Sequence, residues 1–69
     1  MKLSGRNILP GTVIEITTGA VTSHVRIDLG GSIVTSSITN EAVEELGLKI
    51  GMRASAVIKA SDVMIGVDS

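Results

Sequence analysis

Ala20-Val21-Thr22-Ser23-His24-Val25-Arg26-Ile27-Asp28-Leu29 alternates without a break. Val21, Ser23, Val25, Ile27 and Leu29 fall on one side, and Ala20, Thr22, His24, Arg26 and Asp28 on the other. A repeat of two is the mark of a strand with one face on a core. Upstream, Ile14 and Ile16 alternate with Val13, Glu15 and Thr17, which predicts a strand over 11–18 and a turn at Thr18-Gly19. Downstream, Gly30-Gly31 forms a hairpin turn. The β-branched stretch 33–38 is a third strand.

The pattern then changes. Thr39 and Asn40 are both good N-cap residues, and Glu41 puts negative charge in a first helical turn. Ala42, Val43 and Leu46 share one helical face, and Gly47 is placed to end the helix. A fourth strand follows Gly51 over 52–60, a corner forms at Ala60-Ser61-Asp62, and Val63, Ile65 and Val67 alternate in a fifth strand. Three strands, a short helix and two strands is the order of an all-β, OB-like barrel. A small SH3-like barrel is the competing architecture.

At 69 residues the chain has room for one domain. A domain this small buries only about 60% of its unfolded surface and needs disulfides, a metal or oligomerisation to be secure. It has no cysteine and one histidine, so disulfides and an ordinary zinc site are excluded. It has no aromatic residue, yet apolar residues make up 43%. The expectation is a chain that buries a face against copies of itself. A net charge of −1 and the missing stacking aromatics argue against a nucleic-acid module. No apolar run reaches the roughly 18 residues of a membrane span. Met1-Lys2-Leu3 leads straight into polar Ser4, so no secretory leader is expected and the cytoplasm is the expected location.

Two segments carry chemistry. Ser4-Gly5-Arg6-Asn7 and Lys59-Ala60-Ser61 each set a cation beside a small residue or a hydroxyl. Small residues let backbone N–H groups approach a ligand closely. Such a set holds a small oxyanion through hydrogen-bond donors alone.

Ser4-Gly5-Arg6-Asn7 resembles the Ser-Ala-Arg-Asn motif of the molbindins, the Mop family of small molybdate-binding proteins. The stretches Thr35-Ser36-Ser37-Ile38-Thr39-Asn40-Glu41-Ala42-Val43-Glu44-Glu45-Leu46-Gly47-Leu48 and Ala56-Val57-Ile58-Lys59-Ala60-Ser61-Asp62-Val63-Met64-Ile65 resemble the same family. The resemblance implies one Mop/TOBE-type domain over 2–68 with an OB-like fold. It implies hexamers built as trimers of dimers, with the ligand between subunits. Carried over by position, Ser4, Gly5 and Arg6 come from one chain, and Thr39, Ala42, Lys59 and Ala60 from a neighbour. Ala42 stands where relatives carry serine, so only its backbone N–H is on offer, and Gly5 stands where alanine is common.

The chemistry of those residues suits the implied ligand. A tetrahedral dianion presents only acceptors, and Arg6, Lys59, the Ser4 and Thr39 hydroxyls and backbone N–H groups are all donors. The first turn of the helix has N–H groups without intrahelical partners, which is the reason to include Thr39 and Ala42. About six charge-assisted bonds, at roughly 1.5–3 kcal/mol each, suffice for micromolar binding after its costs. Phosphate carries a proton for which a donor-only site has no acceptor. Sulfate carries none and must be excluded by size, and tungstate resembles molybdate closely. No cofactor is implied, because the metal arrives as the oxyanion.

The same residues have plainer readings. Arg6 and Lys59 can be solvated charges, Ser4 a loose terminal residue, and Thr39 a helix cap alone. Met52 and Met64 are expected to fill core gaps, and Glu41, Glu44 and Glu45 to form a solvated face. His24 is expected at the surface or in a subunit contact. A second anion site could form where copies of His24 meet near the N–H groups of Gly19, Ala20 and Val21. Nothing in the chain supports catalysis: there is no cysteine nucleophile and the one histidine has no evident carboxylate partner. Binding of a molybdenum–pterin cofactor, an OB-like nucleic-acid binder and a purely structural oligomerisation module are the alternatives. A pterin normally wants a stacking platform, which this chain does not offer.

Overall fold

The computed structural model of the chain describes residues 7–68. Strand β1, Asn7–Thr18, is followed by β2, Thr22–Asp28, and β3, Ile33–Thr39. Helix α1, Asn40–Leu46, leads to β4, Arg53–Ile58, and a 3-10 turn, Ala60–Asp62. The strands form one antiparallel sheet in the order β3-β2-β1-β4, curled into a half-barrel with the helix at one end. The all-β, OB-like reading holds.

Strand β1 organises the sheet by serving two partners. Asn7 to Thr12 pair with Ile58 to Arg53 of β4, and Thr12 to Thr18 pair with Asp28 to Ser23 of β2. The change of partner at Thr12 needs a close crossing. A Cβ on Gly11 would sit 2.5 Å from the Asp28 carbonyl oxygen and 2.6 Å from Ile27 Cγ2. Only glycine lets the strands approach this way. The strand already includes Asn7, four residues before the stretch 11–18 expected from sequence. Pro10 is accommodated because the β2 ladder begins only at Thr12, which leaves that stretch of β1 an edge.

A β-bulge between Val13 and Glu15 also changes the face assignment in β1. Simple alternation groups Ile14 with Ile16. The extra residue instead turns Ile14 outward and makes Val13, at 0% exposure, the centre of the core. Val25, Ile27 and Ala56 complete the buried set, and Leu9, Ile16, Leu29, Val34, Ile38, Val43, Leu48, Met52 and Ala54 pack around it. From Ser23 to Leu29 the inward face is the one the alternation predicts, with Ser23 buried in it, whereas Val21 precedes β2 and is 70% exposed.

The chain beyond the 3-10 turn departs from expectation. Residues 63–68 join no ladder among the described residues, so the expected fifth strand is absent. Its apolar side chains face solvent, with Met64 92%, Ile65 86% and Val67 86% exposed. Met64 therefore fills no core gap, whereas Met52 does pack against the core. The alternation of Val63, Ile65 and Val67 is real, but strand pairing needs an edge as well as a pattern.

Gly11→Ala is expected to destabilise the fold by about 1–3 kcal/mol, the usual cost of overpacking, because both atoms it strikes belong to the adjoining strand. Urea unfolding at fixed protein concentration checks this, against Gly66→Ala, whose Cβ meets nothing within 4 Å.

Candidate functional site

Thr39 ends β3 in extended conformation, with φ −69° and ψ 152°, and caps α1. Its Oγ1 accepts the Ala42 N–H at 3.0 Å. That bond has two consequences. The Ala42 N–H, expected to serve a ligand, is committed to Thr39. The Thr39 hydroxyl, with an oxygen lone pair filled, keeps its own proton to give away. At the other end Gly47 adopts φ 63°, and the Gly47 and Leu48 N–H groups close on Glu44 and Val43 carbonyls in a Schellman arrangement. The helix is thus well capped, though none of its residues is fully buried.

Lys59 and Ala60 follow β4 directly. Lys59 is extended and exposed, and its carbonyl accepts the Asp62 N–H at 2.9 Å. Its ammonium has no ion-pair or hydrogen-bond partner among the described residues. Ile58, just before it, pairs with Asn7, and Asn7 Nδ2 donates to the Ile58 carbonyl at 3.1 Å. Ser4, Gly5 and Arg6 lie outside the described residues.

An apolar cavity of about 820 Å³ opens between β3 and β4. Ile38 and Ile58, the residues before Thr39 and Lys59, both line it. The ladders set Thr39 opposite Thr22, near the Thr18 end of β1, and Ile58 opposite Asn7 at the other end, so the pairing of one copy does not itself bring Thr39 and Lys59 together.

The second candidate group occupies the β1–β2 turn. Gly19, Ala20 and Val21 are exposed, and the Gly19 N–H donates to the Thr22 carbonyl at 2.8 Å. The N–H groups of Ala20 and Val21 have no hydrogen-bond acceptor among the described residues. His24 is exposed on the outer face of β2, opposite Thr17 and Ser37. Glu41, Glu44 and Glu45 are solvated as expected.

One arrangement escapes a reading of motifs. Ser23 Oγ donates to Asn40 Oδ1 at 2.5 Å, and Asn40 Nδ2 donates to the Gly19 carbonyl at 3.0 Å. The signal was a lone serine among Val21, Val25, Ile27 and Leu29 on an inward face, since a buried hydroxyl demands a partner.

The TOBE-domain model matches residues 3–65. A probable molybdenum-pterin-binding protein from Haemophilus influenzae is 46% identical over 69 residues, covering 99% of this chain and 100% of its own length. The structure of a molybdate-binding protein from Sporomusa ovata superposes with a TM-score of 0.91 at 36% identity, covering 97% of this chain and 100% of that one. That of ModG, a cytoplasmic molybdate-binding protein with molybdate bound, superposes at 0.91 with 58% identity, covering 99% of this chain and 49% of that one. With the half-barrel, the capped helix and these likenesses together, the chain belongs to the TOBE-domain family. Within that family it is a molbindin, of the Mop type.

Thr39→Ala is expected to cost about 1 kcal/mol of stability through the lost cap, and Thr39→Ser far less. Urea unfolding of both variants at equal protomer concentration checks this, because stability depends on concentration wherever copies associate.

Proposed function

We propose that this chain binds molybdate, and tungstate with little discrimination, as a free tetrahedral oxyanion for storage and buffering inside the cell. The observation that carries the reading is 58% identity, along 99% of this chain, to a protein whose structure holds molybdate. The residues agree with it. Ser4, Gly5 and Arg6 supply one half of the site. Thr39 supplies a hydroxyl with its proton free, and Lys59 and Ala60 supply an ammonium and a small neighbour. The two cations balance the two charges of the anion, and every contact is non-covalent, so release is reversible. Ala42 acts through the Thr39 cap and gives its N–H to that hydroxyl.

The site is composite, shared between copies of one TOBE-type domain over 2–68. Support comes from what one copy leaves uncovered: the apolar opening between β3 and β4, and the exposed apolar side chains of 63–68. A hexamer arranged as a trimer of dimers covers both. The Ala20 and Val21 amides suit a second, weaker anion site near His24 at an axis of that assembly.

The activity is binding and not catalysis: His24 is exposed and no cysteine is present. The names of the relatives favour one other reading, a molybdenum–pterin ligand. The absence of any aromatic residue leaves a pterin ring no stacking platform, which ranks the free oxyanion first. A nucleic-acid partner is disfavoured by the net charge of −1. No helix among the described residues is long and apolar enough to cross a membrane.

Calorimetry with molybdate, sulfate and phosphate tests the reading. Heat from molybdate alone, saturating near one anion per chain or slightly more, is the expected result. No heat up to about millimolar anion, the limit of weak binding, would discard it. Arg6→Ala and Lys59→Ala should each weaken molybdate binding more than about tenfold, the scale of one charge-assisted bond, while assembly persists.

A further inference from the structure

The start of α1 is held by hydrogen bonds more than by packing. The helix has no fully buried residue, and its apolar side chains Ala42 and Val43 are half-buried. Against that weak packing stand three bonds made by one residue. The Asn40 backbone N–H donates to the Val21 carbonyl at 2.9 Å, its Nδ2 donates to the Gly19 carbonyl at 3.0 Å, and its Oδ1 accepts from Ser23.

The chemistry fixes which way the amide points. The Gly19 carbonyl can only accept, so it must face the Asn40 NH2 group. Oδ1 then faces Ser23, whose hydroxyl, 1% exposed, has a proton to give. Aspartate in this place could not donate to Gly19 and would set a carboxylate oxygen against its carbonyl. Serine is too short to reach both partners. Every buried side-chain polar atom among the described residues has a partner, and for Ser23 that partner is Asn40.

We propose that Asn40 is a positioning residue for the anion: anchored by buried Ser23 and the 19–21 turn, it holds the Thr39 hydroxyl toward the ligand without touching it. The inference rests on the molybdate reading of the site. Thr39 and Asn40 share the peptide bond at which β3 becomes α1. Fixing Asn40 on both its backbone and its side chain fixes that corner. The Thr39 Oγ1 is then held where it accepts from Ala42, and its proton is left for another acceptor. Release of the Asn40 side chain frees the corner, and the donor no longer waits in place for the anion. A preorganised donor binds more tightly than one that must be ordered on binding.

The test is a double-mutant cycle read by molybdate calorimetry on the whole chain, well below each variant's melting temperature. Asn40→Ala keeps the backbone bond to Val21 and removes only the side chain. It should weaken molybdate binding about tenfold, the scale of one charge-assisted bond. Thr39→Val removes the hydroxyl at equal volume, and in that background Asn40→Ala should add less than about twofold, because the group it positions is gone. Should Asn40→Ala fail to fold, Ser23→Ala carries the test: it frees Oδ1, leaves Asn40 in place, and should weaken binding about threefold only while Thr39 is present. A merely structural role would lower the melting temperature and leave the affinity of the folded variants unchanged, which overturns the inference. Losses from the Asn40 and Thr39 variants that multiply would overturn it equally. A wild-type chain that takes up no molybdate overturns the functional reading and this inference together, a result distinct from either.

Discussion

The described residues leave much of their apolar surface uncovered, and the rest follows from that. Four residues, Val13, Val25, Ile27 and Ala56, form the buried core of the described protein. Around them a half-barrel stands open between β3 and β4, lined mostly by aliphatic side chains. With no aromatic residue and no cysteine, larger side chains and disulfides are not available to close it. Apolar area left in water is a standing driving force for association. In the proposed reading, association also brings together binding groups that a single small domain cannot enclose.

The polar chemistry sits at the ends of the strands that border that opening. Thr39 and Lys59 each follow a residue that lines it, Ile38 and Ile58. The cap bond from Ala42 to Thr39 turns a hydroxyl that could accept or donate into one that donates. An oxyanion without a proton matches such a surface, because the groups proposed to hold it all give hydrogens. The same match penalises an anion that brings a proton of its own. The clamp of Ser23, Asn40 and Gly19 stiffens the corner that carries Thr39, where the short helix has little packing to do so.

Much of this was legible in the residues. The alternation from Ser23 to Leu29 marks the inward face of β2, though Val21 lies outside the strand and exposed, and Thr39, Glu41 and Gly47 mark the helix to within a residue. What periodicity missed has a common cause, which is that pairing is a property of two strands. The alternation shows β1 only from residue 11, yet the β4 partner carries it back through Pro10 to Asn7. Ile14 reads as inward until a bulge adds a residue to one side of the ladder only. Val63, Ile65 and Val67 have the pattern of a strand and no edge of their own chain to join. The Ala42 N–H reads as free because a capping residue is visible in sequence while the amide that it serves is not. The Ser23 clamp went unread although its serine was in plain view on an apolar face.

Native mass spectrometry of the whole chain with molybdate present tests the central claim most directly. Shared between copies, the anion should travel only with assemblies, hexamers foremost, and monomers released by dilution should carry none. A monomer that retains one molybdate would contradict the account, because a single copy would then be holding the ligand by itself.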